Sequence, residues 1–209
     1  MARFFTSDLH LGHANIIRYC ARPHRDVATM NLELLAHWEA RVGAHDVVYV
    51  LGDVAMKVDE ATTALFAALP GRKILIRGNH GRGRRERYAA MGFSEIVDHL
   101  DLRLANGVTA ELSHYPFADP SPESAQRFRE RRPISRGQWL LCGHVHEKWR
   151  QLGHQINVGV DAWGGVTVSE DEVVELIENG PANLAPRPWT PAHAASAGDG
   201  LVVASEVDA

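Results

Sequence analysis

Buried strands that alternate with helices are the strongest constraint on how this chain can fold. Residues 46–51 (DVVYVL) and 73–77 (KILIR) are continuous apolar runs, typical of strands covered on both faces. A shorter apolar strand is predicted at 3–7. Apolar residues at helical spacing predict helices at 30–42 and 60–69, between these strands. The resulting order of strand, helix, strand, helix and strand predicts an α/β fold.

The second half of the chain predicts a β-rich and more antiparallel region. Residues 100–104 and 108–113 flank Asn106-Gly107, a two-residue sequence that favours a β-hairpin. Two further strands are predicted at 138–142 and 155–158. Strand pairing in this half is therefore expected to differ from the pairing in the first half.

The end of the folded region is predicted near residue 179. Residues 169–172 (SEDE) resemble a capping box and predict a helix through 177. From Gly180 onward the composition turns to Pro, Ala, Gly and Ser. We therefore expect one domain at 1–179 and a poorly ordered tail at 180–209, with 201–203 as a candidate short strand.

Composition restricts the class of protein. A chain of 209 residues with 45% hydrophobic and 23% charged residues suits one globular domain with a sizeable core. The net charge of −4 provides no overall attraction to nucleic acid or membrane. Two cysteines are too few for a disulfide scaffold, and no apolar run reaches the roughly 20 residues that span a bilayer. The chain is predicted to be cytoplasmic, without a membrane partner and with its oligomeric state left open.

Polar clusters follow the predicted strands. Ligand sites in open α/β sheets lie beyond the carboxyl ends of the strands, so these clusters are expected to converge. Imidazole, carboxylate and amide donors together suit Mn, Fe or Zn, whereas Ca and Mg prefer oxygen ligands alone. The clusters are Asp8-x-His10, Gly52-Asp53, Gly78-Asn79-His80, His114 and Gly143-His144-x-His146.

The local geometry of these clusters is also predicted. Residues two apart in an extended segment share one face, so the Asp8-x-His10 and His144-x-His146 spacings predict paired side chains. The motif glycines Gly52, Gly78 and Gly143 are expected to allow sharp turns where a ligand approaches the backbone.

In this order, the clusters resemble the motifs of the calcineurin-like metallophosphoesterase superfamily, over residues 8–146. Residues 6–23 and 156–163 also resemble the opening and closing segments of a compact bacterial and phage subgroup of phosphoesterases. The resemblance implies a double β-sheet sandwich flanked by helices (αββα). It also implies two divalent metal ions, with Mn²⁺ as the first expectation and Fe, Zn or Ni as alternatives.

The resemblance assigns a role to each motif residue. Asp53 would bridge both ions and, with His80, would be catalytic; His80 would contact phosphate or donate a proton. The ligands implied are Asp8, His10 and His146 for the first ion, and Asn79, His114 and His144 for the second. Such a centre implies hydrolysis of phosphate esters by a two-metal mechanism.

The substrate class is predicted less directly. Residues 52–57 (GDVAMK) lack the Asp-Arg pair that follows this Gly-Asp in protein serine/threonine phosphatases, which argues against a phosphoprotein substrate. A phosphodiesterase acting on nucleotide, cyclic-nucleotide or nucleic-acid diesters is predicted. The alternatives are a phosphomonoesterase or nucleotide pyrophosphatase, and a non-catalytic scaffold. His13, near His10, and Arg77, before the Asn79 motif, are candidate substrate contacts.

Overall fold

The computed structural model describes residues 1–56, 59–79, 85–117 and 128–191. Its strands are β1 (Arg3–Thr6), β2 (Val47–Val50), β3 (Arg72–Ile76), β4 (Phe93–Val97), β5 (Leu100–Arg103), β6 (Thr109–Leu112), β7 (Trp139–Cys142), β8 (Gln151–Gly153), β9 (Gln155–Asn157), β10 (Val168–Ser169) and β11 (Ala182–Leu184). Its helices are α1 (Ala14–Tyr19), α2 (Val27–Arg41), α3 (Glu60–Ala68), α4 (Arg85–Ala90) and α5 (Glu170–Glu178). Single 3₁₀ turns occur at Arg129–Arg131, His146–Lys148 and Val160–Ala162.

The first sheet has the strand order β10-β1-β2-β3-β4. β1 through β4 pair in parallel, and β10 adds an antiparallel edge to β1. Helices connect these parallel strands, as parallel pairing requires a long crossover. All four parallel strands therefore end at the same edge of the sheet.

The second sheet is mixed, with the order β11-β8-β9-β7-β6-β5. β6, β7 and β9 pair in parallel, whereas β5 pairs antiparallel to β6 in the predicted hairpin. β8 and β11 complete the other side through antiparallel pairing. The carboxyl ends of β6 and β7 thus provide a second set of strand ends on one side of the fold.

One apolar core joins the two sheets. Phe5, Tyr49 and Leu51 of the first sheet cluster with Leu112 and Leu141 of the second. The alternate residues of β1 and β2, Phe4, Val48 and Val50, point to the other face of the sheet and pack against the helices. The alternation follows from the two-residue period of a strand, and it explains why β2 is apolar on both faces. The fold is α/β, with two mixed sheets flanked by helices, as the sequence predicts at this level.

Hydrogen bonds from side chains set the starts of the predicted helices. Asp26 accepts from the backbone N–H of Thr29 at 2.7 Å, so α2 begins before the predicted residue 30. At α5, Ser169 and Glu172 form the predicted capping box. Six short elements were not predicted from the sequence, because they gain their hydrogen bonds or packing from neighbouring elements: α1, α4, β4, β8, β10 and β11.

The prediction of a poorly ordered tail from residue 180 is wrong for its first part. Residues Ala182–Leu184 form β11, which pairs with β8, and Trp189 packs against the helical core. A strand at a sheet edge can pair through its backbone without an apolar run. The Pro- and Ala-rich composition therefore gave no sign of β11. Residues 192–209, including 201–203, lie outside the described part of the chain. Within the described ranges, no helix is long and apolar enough to cross a membrane.

Candidate metal centre

Side chains from five strand ends meet at one place between the two sheets. β1 leads to Asp8 and His10, and β2 leads to Asp53. Asn79 follows β3, His114 follows β6, and both His144 and His146 follow β7. Backbone hydrogen bonds hold the first loops together, since His10 N–H donates to the carbonyl of Asp53 at 2.9 Å. The topology thus assembles residues that are far apart in the sequence.

Asp8, His10 and His146 form the first cluster. Asp8 Oδ1 lies 3.9 Å from His10 Nε2 and 3.9 Å from His146 Nε2. One ligand atom from each of the three residues lies within 4.8 Å of the other two. The donor atoms therefore surround a common point.

Asn79, His114 and His144 form the second cluster. Asn79 Oδ1 lies 2.9 Å from His114 Nε2 and 3.1 Å from His144 Nδ1. Asp53 Oδ2 lies 3.5 Å from His114 Nε2 and 3.8 Å from His10 Nε2, so a single oxygen faces both clusters. Asp53 is placed where a bridging ligand would be needed.

The chemistry of the donors fits a pair of divalent cations. His114 Nδ1 lies 2.7 Å from the carbonyl oxygen of Leu51 and must donate, because a carbonyl only accepts. In the neutral ring, Nε2 then turns a lone pair toward the oxygens of Asp53 and Asn79. Atoms bound to one ion at about 2.0–2.2 Å are themselves roughly 2.8–3.6 Å apart. The two distances from Asn79 Oδ1 in the second cluster fall within this range, and the distances from Asp8 Oδ1 in the first cluster are slightly longer.

Electrostatics differ between the two clusters. Burial disfavours a charged His146, but the carboxylates of Asp8 and Asp161 outweigh burial and raise its pKa to about 11. Burial and the neighbouring His114 lower the pKa of His144 to about 3. His144 is thus a neutral candidate ligand at ordinary pH, whereas the surroundings of His146 favour a positive charge, carried by a proton or a metal ion.

Most candidate ligands have a left-handed backbone, which corrects the prediction that each His-containing pair lies on an extended segment. Asn, Asp and His tolerate this conformation better than most residues do, yet it costs on the order of 1–3 kcal/mol at each position. The orientation of these side chains toward the two clusters is therefore set by sharp local bends of the backbone and not by strand periodicity. The residues and φ angles are Asp8 (57°), His10 (51°), Asp53 (47°), His144 (70°) and His146 (50°).

The motif glycines act mainly by lacking a side chain. Only Gly52 has a positive φ, at 90°, so the predicted sharp turn applies to it alone among the three. A Cβ atom on Gly143 would lie 2.0 Å from Ser7 Oγ and 2.5 Å from Asp8 Oδ2. A Cβ on Gly78 would meet an oxygen of Asp53 at 2.4 Å. These glycines let the loops close onto the carboxylates.

The remaining predicted residues lie around this centre. The ring of His13 is 5.4 Å from that of His10, on the side of the first cluster. Arg77 is near the second cluster, but its guanidinium is 2.6 Å from the exposed carboxylate of Asp98. His80, the predicted proton donor or phosphate contact, lies outside the described residues.

A cleft of about 540 Å³ lies beside the second cluster. Gly78, Ser113 and Tyr115, which adjoin Asn79 and His114 in the sequence, form part of its wall. Basic and acidic side chains form much of the rest: Arg77, Arg131, Arg132, Asp98, Glu111 and Glu130. The cleft is large enough for a small organic ligand.

Two further residues, Arg22 and Asp161, support the first cluster and were not predicted from the sequence. Asp161 Oδ2 accepts a hydrogen bond from His146 Nδ1 at 2.8 Å, which leaves Nε2 facing Asp8. Both oxygens of Asp161 also accept from Arg22. The segments 6–23 and 156–163 contained these residues, but no motif logic assigned them a role.

Gly143→Ala should disrupt the centre while leaving the rest of the fold intact. The added Cβ would overlap Ser7 Oγ and Asp8 Oδ2, so divalent-ion binding measured by calorimetry should be lost or strongly weakened. Gly43→Ala is the matched control, because a Cβ there meets only the carboxylate end of Asp46, at 3.2 Å. Normal ion binding by Gly143→Ala would contradict this packing argument.

Comparison with known proteins places the chain among relatives of similar length. No protein-family model matches it. The Gene 66 protein of Mycobacterium phage D29 is 34% identical over 84% of this chain and 96% of its own length. The uncharacterized protein MJ1445 of Methanocaldococcus jannaschii is 31% identical over 85% and 92%, respectively. A crystal structure of AQ665, a protein of unknown function from Aquifex aeolicus, aligns with a TM-score of 0.64 and 27% identity, over 83% of this chain and 98% of that one. This chain belongs to the family of the mycobacteriophage Gene 66 proteins.

Proposed function

We propose that the protein is a metallophosphoesterase that hydrolyses phosphate esters at a dinuclear metal centre. The observation that carries this proposal is the position of Asp53, whose Oδ2 faces His10 on one side and His114 on the other. A carboxylate that joins two sets of imidazole and amide donors matches what a two-metal site requires. Mn²⁺ is the metal we propose first, since mixed nitrogen and oxygen ligands suit it, with Fe, Zn and Ni as alternatives.

The architecture is compatible with the proposed superfamily. Two sheets share a core, and the candidate ligands follow the carboxyl ends of strands in both sheets. The double-sheet sandwich of the metallophosphoesterases, with helices on its outer faces, is the fold we propose for the complete chain. The strained backbone at the ligands supports a functional reading, because such strain concentrates at active sites.

When bound, two divalent cations would offset the negative charge of the phosphoryl group and make a water molecule acidic enough to attack near neutral pH. The chain's own residues prepare the site. The Leu51 carbonyl fixes the ring of His114, and Asp8 Oδ2 accepts from the backbone N–H of His144 at 2.8 Å. His80 would donate a proton to the departing alkoxide, the role that the family resemblance implies for it.

The charges around the cleft support the proposal of a phosphodiester substrate in preference to a phosphomonoester. A monoester dianion benefits from cations that have no other partner, but Arg77 is paired with Asp98. Among the described residues, the wall of the cleft combines three arginines with three acidic residues, so their formal charges balance. We therefore propose a diester of a nucleotide, cyclic nucleotide or nucleic acid as substrate. A phosphomonoesterase or nucleotide pyrophosphatase is the alternative, and the complete ligand set argues against a non-catalytic scaffold.

The proposal predicts metal-dependent hydrolysis. Chelation should abolish turnover and Mn²⁺ should restore it, because the attacking water is otherwise not acidic enough. Purified protein should be assayed with Mn²⁺, Fe²⁺, Zn²⁺ and Ni²⁺ against chromogenic diesters and monoesters. Full activity after exhaustive demetallation would refute the dinuclear mechanism, and a clear preference for monoesters would refute the diesterase assignment alone.

Removal of Asp53 should reduce turnover and metal content more than removal of a residue that would bind one ion alone. Asp53→Ala should leave little turnover and lower the bound metal at both clusters, whereas Asn79→Ala should affect mainly the second cluster. Asp171→Ala is a control, since that carboxylate is exposed on α5, away from the candidate ligands in the sequence. Bound metal should be measured by elemental analysis alongside the rate. Near wild-type turnover in Asp53→Ala would mean that the site is elsewhere.

His80→Ala should separate two classes of leaving group. Proton donation is typically worth roughly 10²- to 10⁴-fold in rate, so hydrolysis of alkyl diesters should fall by about that factor. Nitrophenyl diesters should lose less, because nitrophenolate departs without a proton, and both metal ions should stay bound. Equal losses on both substrates would indicate that His80 binds phosphate and does not donate a proton.

A further inference from the structure

Arg22 is a buried arginine whose guanidinium joins the loop at Asp8 and Leu9 to the carboxylate of Asp161. Its side chain is inaccessible to solvent. Nη2 donates to the carbonyl of Asp8 at 2.7 Å and Nη1 to the carbonyl of Leu9 at 2.9 Å. Nε and Nη2 also donate to the two oxygens of Asp161, at 2.8 and 2.9 Å. A planar, five-donor guanidinium can make these bonds together, whereas an ammonium group cannot.

Asp161 connects Arg22 to His146, a candidate metal ligand. Its Oδ2 accepts from His146 Nδ1 at 2.8 Å while also accepting from Arg22. Arg22 therefore touches the first cluster twice, directly at the backbone of Asp8 and indirectly through the ring of His146. Both residues have a positive φ, a conformation that persists only when its surroundings fix it.

Residues near the C-terminal end of the described chain cover this arrangement. The Trp189 ring lies 5.7 Å from the guanidinium carbon of Arg22 and packs against the helical core. A cation over an aromatic face is stabilised, and the ring limits access of water to the ion pair. The side chains of Arg22 and Asp161 are both 0% exposed to solvent.

Asp161 also belongs to another possible group of metal ligands, together with Cys20 and His146. That group does not suit a cation of its own. Both carboxylate oxygens of Asp161 already accept hydrogen bonds from Arg22, and one accepts from His146 as well. Because these hydrogen bonds already use both carboxylate oxygens, the residues support the first cluster and are not proposed as an additional site.

We propose that Arg22 and Asp161 are positioning residues of the first metal cluster: they fix the backbone at Asp8 and the ring of His146 without touching the substrate. This inference rests on the proposed dinuclear centre. Carboxylates that hold ligating histidines typically change metal affinity by about 10- to 100-fold when they are removed. The expected effect is therefore on one ion of the two.

The test is titration of demetallated protein with Mn²⁺, followed by calorimetry and by electron paramagnetic resonance of the bound ions. Wild type should bind two ions with a coupled spectrum. Arg22→Lys and Asp161→Asn should weaken the binding of one ion by about 10- to 100-fold and leave the affinity for the other unchanged. At an Mn²⁺ concentration that gives wild type its coupled spectrum, each variant should therefore hold one ion and give an uncoupled spectrum. Asp161→Asn keeps the size of the side chain and decides the question if Arg22→Lys does not fold, as judged by near-ultraviolet circular dichroism.

Arg3→Lys is the matched control. Arg3 makes a comparable bidentate pair with Glu170 and a bond to the carbonyl of Arg103 at 2.8 Å, but at the start of β1. It should lose stability without losing either ion. Two ions bound with wild-type affinity in a folded Arg22→Lys or Asp161→Asn protein would overturn the positioning role alone. A wild-type protein that binds no Mn²⁺ or other divalent transition metal would overturn the dinuclear centre, and this inference with it.

Discussion

Two carboxylates are buried at the junction of the sheets, and much of the surrounding structure compensates for their charge. Asp8 is 0% exposed and Asp53 is 3% exposed. Removing an ionised carboxylate from water costs several kcal/mol unless hydrogen bonds or positive charges replace the lost hydration. The N–H of His144 supplies one such bond to Asp8. The proposed cations would supply the charge, which gives a physical reason for the density of imidazoles around these oxygens.

The two sheets contribute differently to this junction. The parallel strands of the first sheet deliver Asp8, Asp53 and Asn79 from one edge, each followed by a crossover to the next strand. The second sheet delivers His114 and His144 from adjacent parallel strands within a largely antiparallel surrounding. Carboxylate and amide oxygens thus come chiefly from one sheet and imidazoles chiefly from the other. A stable interface between the sheets is therefore a condition for a complete ligand set.

Strand order and the polar residues at strand ends were enough to predict which side chains converge, whereas the local backbone at those residues could not be predicted. The buried runs at 46–51 and 73–77 predicted β2 and β3, and the clusters that follow such runs predicted which side chains would converge. The left-handed conformations at Asp8 and His146 have no signature in a single sequence, since either residue is common in ordinary loops. Arg22 and Asp161 were missed for a different reason: their pairing joins positions 139 residues apart and follows no periodic pattern.

The separation of these partners along the chain bears on the order in which the protein can mature. Asp8 and His144 are 136 residues apart, and Trp189 reaches Arg22 from near the end of the described chain. Closing such long loops is entropically costly and tends to come late in folding. During synthesis on a ribosome, the N-terminal half would carry Asp8, His10 and Asp53 before any of the later histidines exist. In the proposed dinuclear centre, tight capture of metal would then have to wait until the later histidines have emerged and packed against the first half, so that the centre would be completed late in folding.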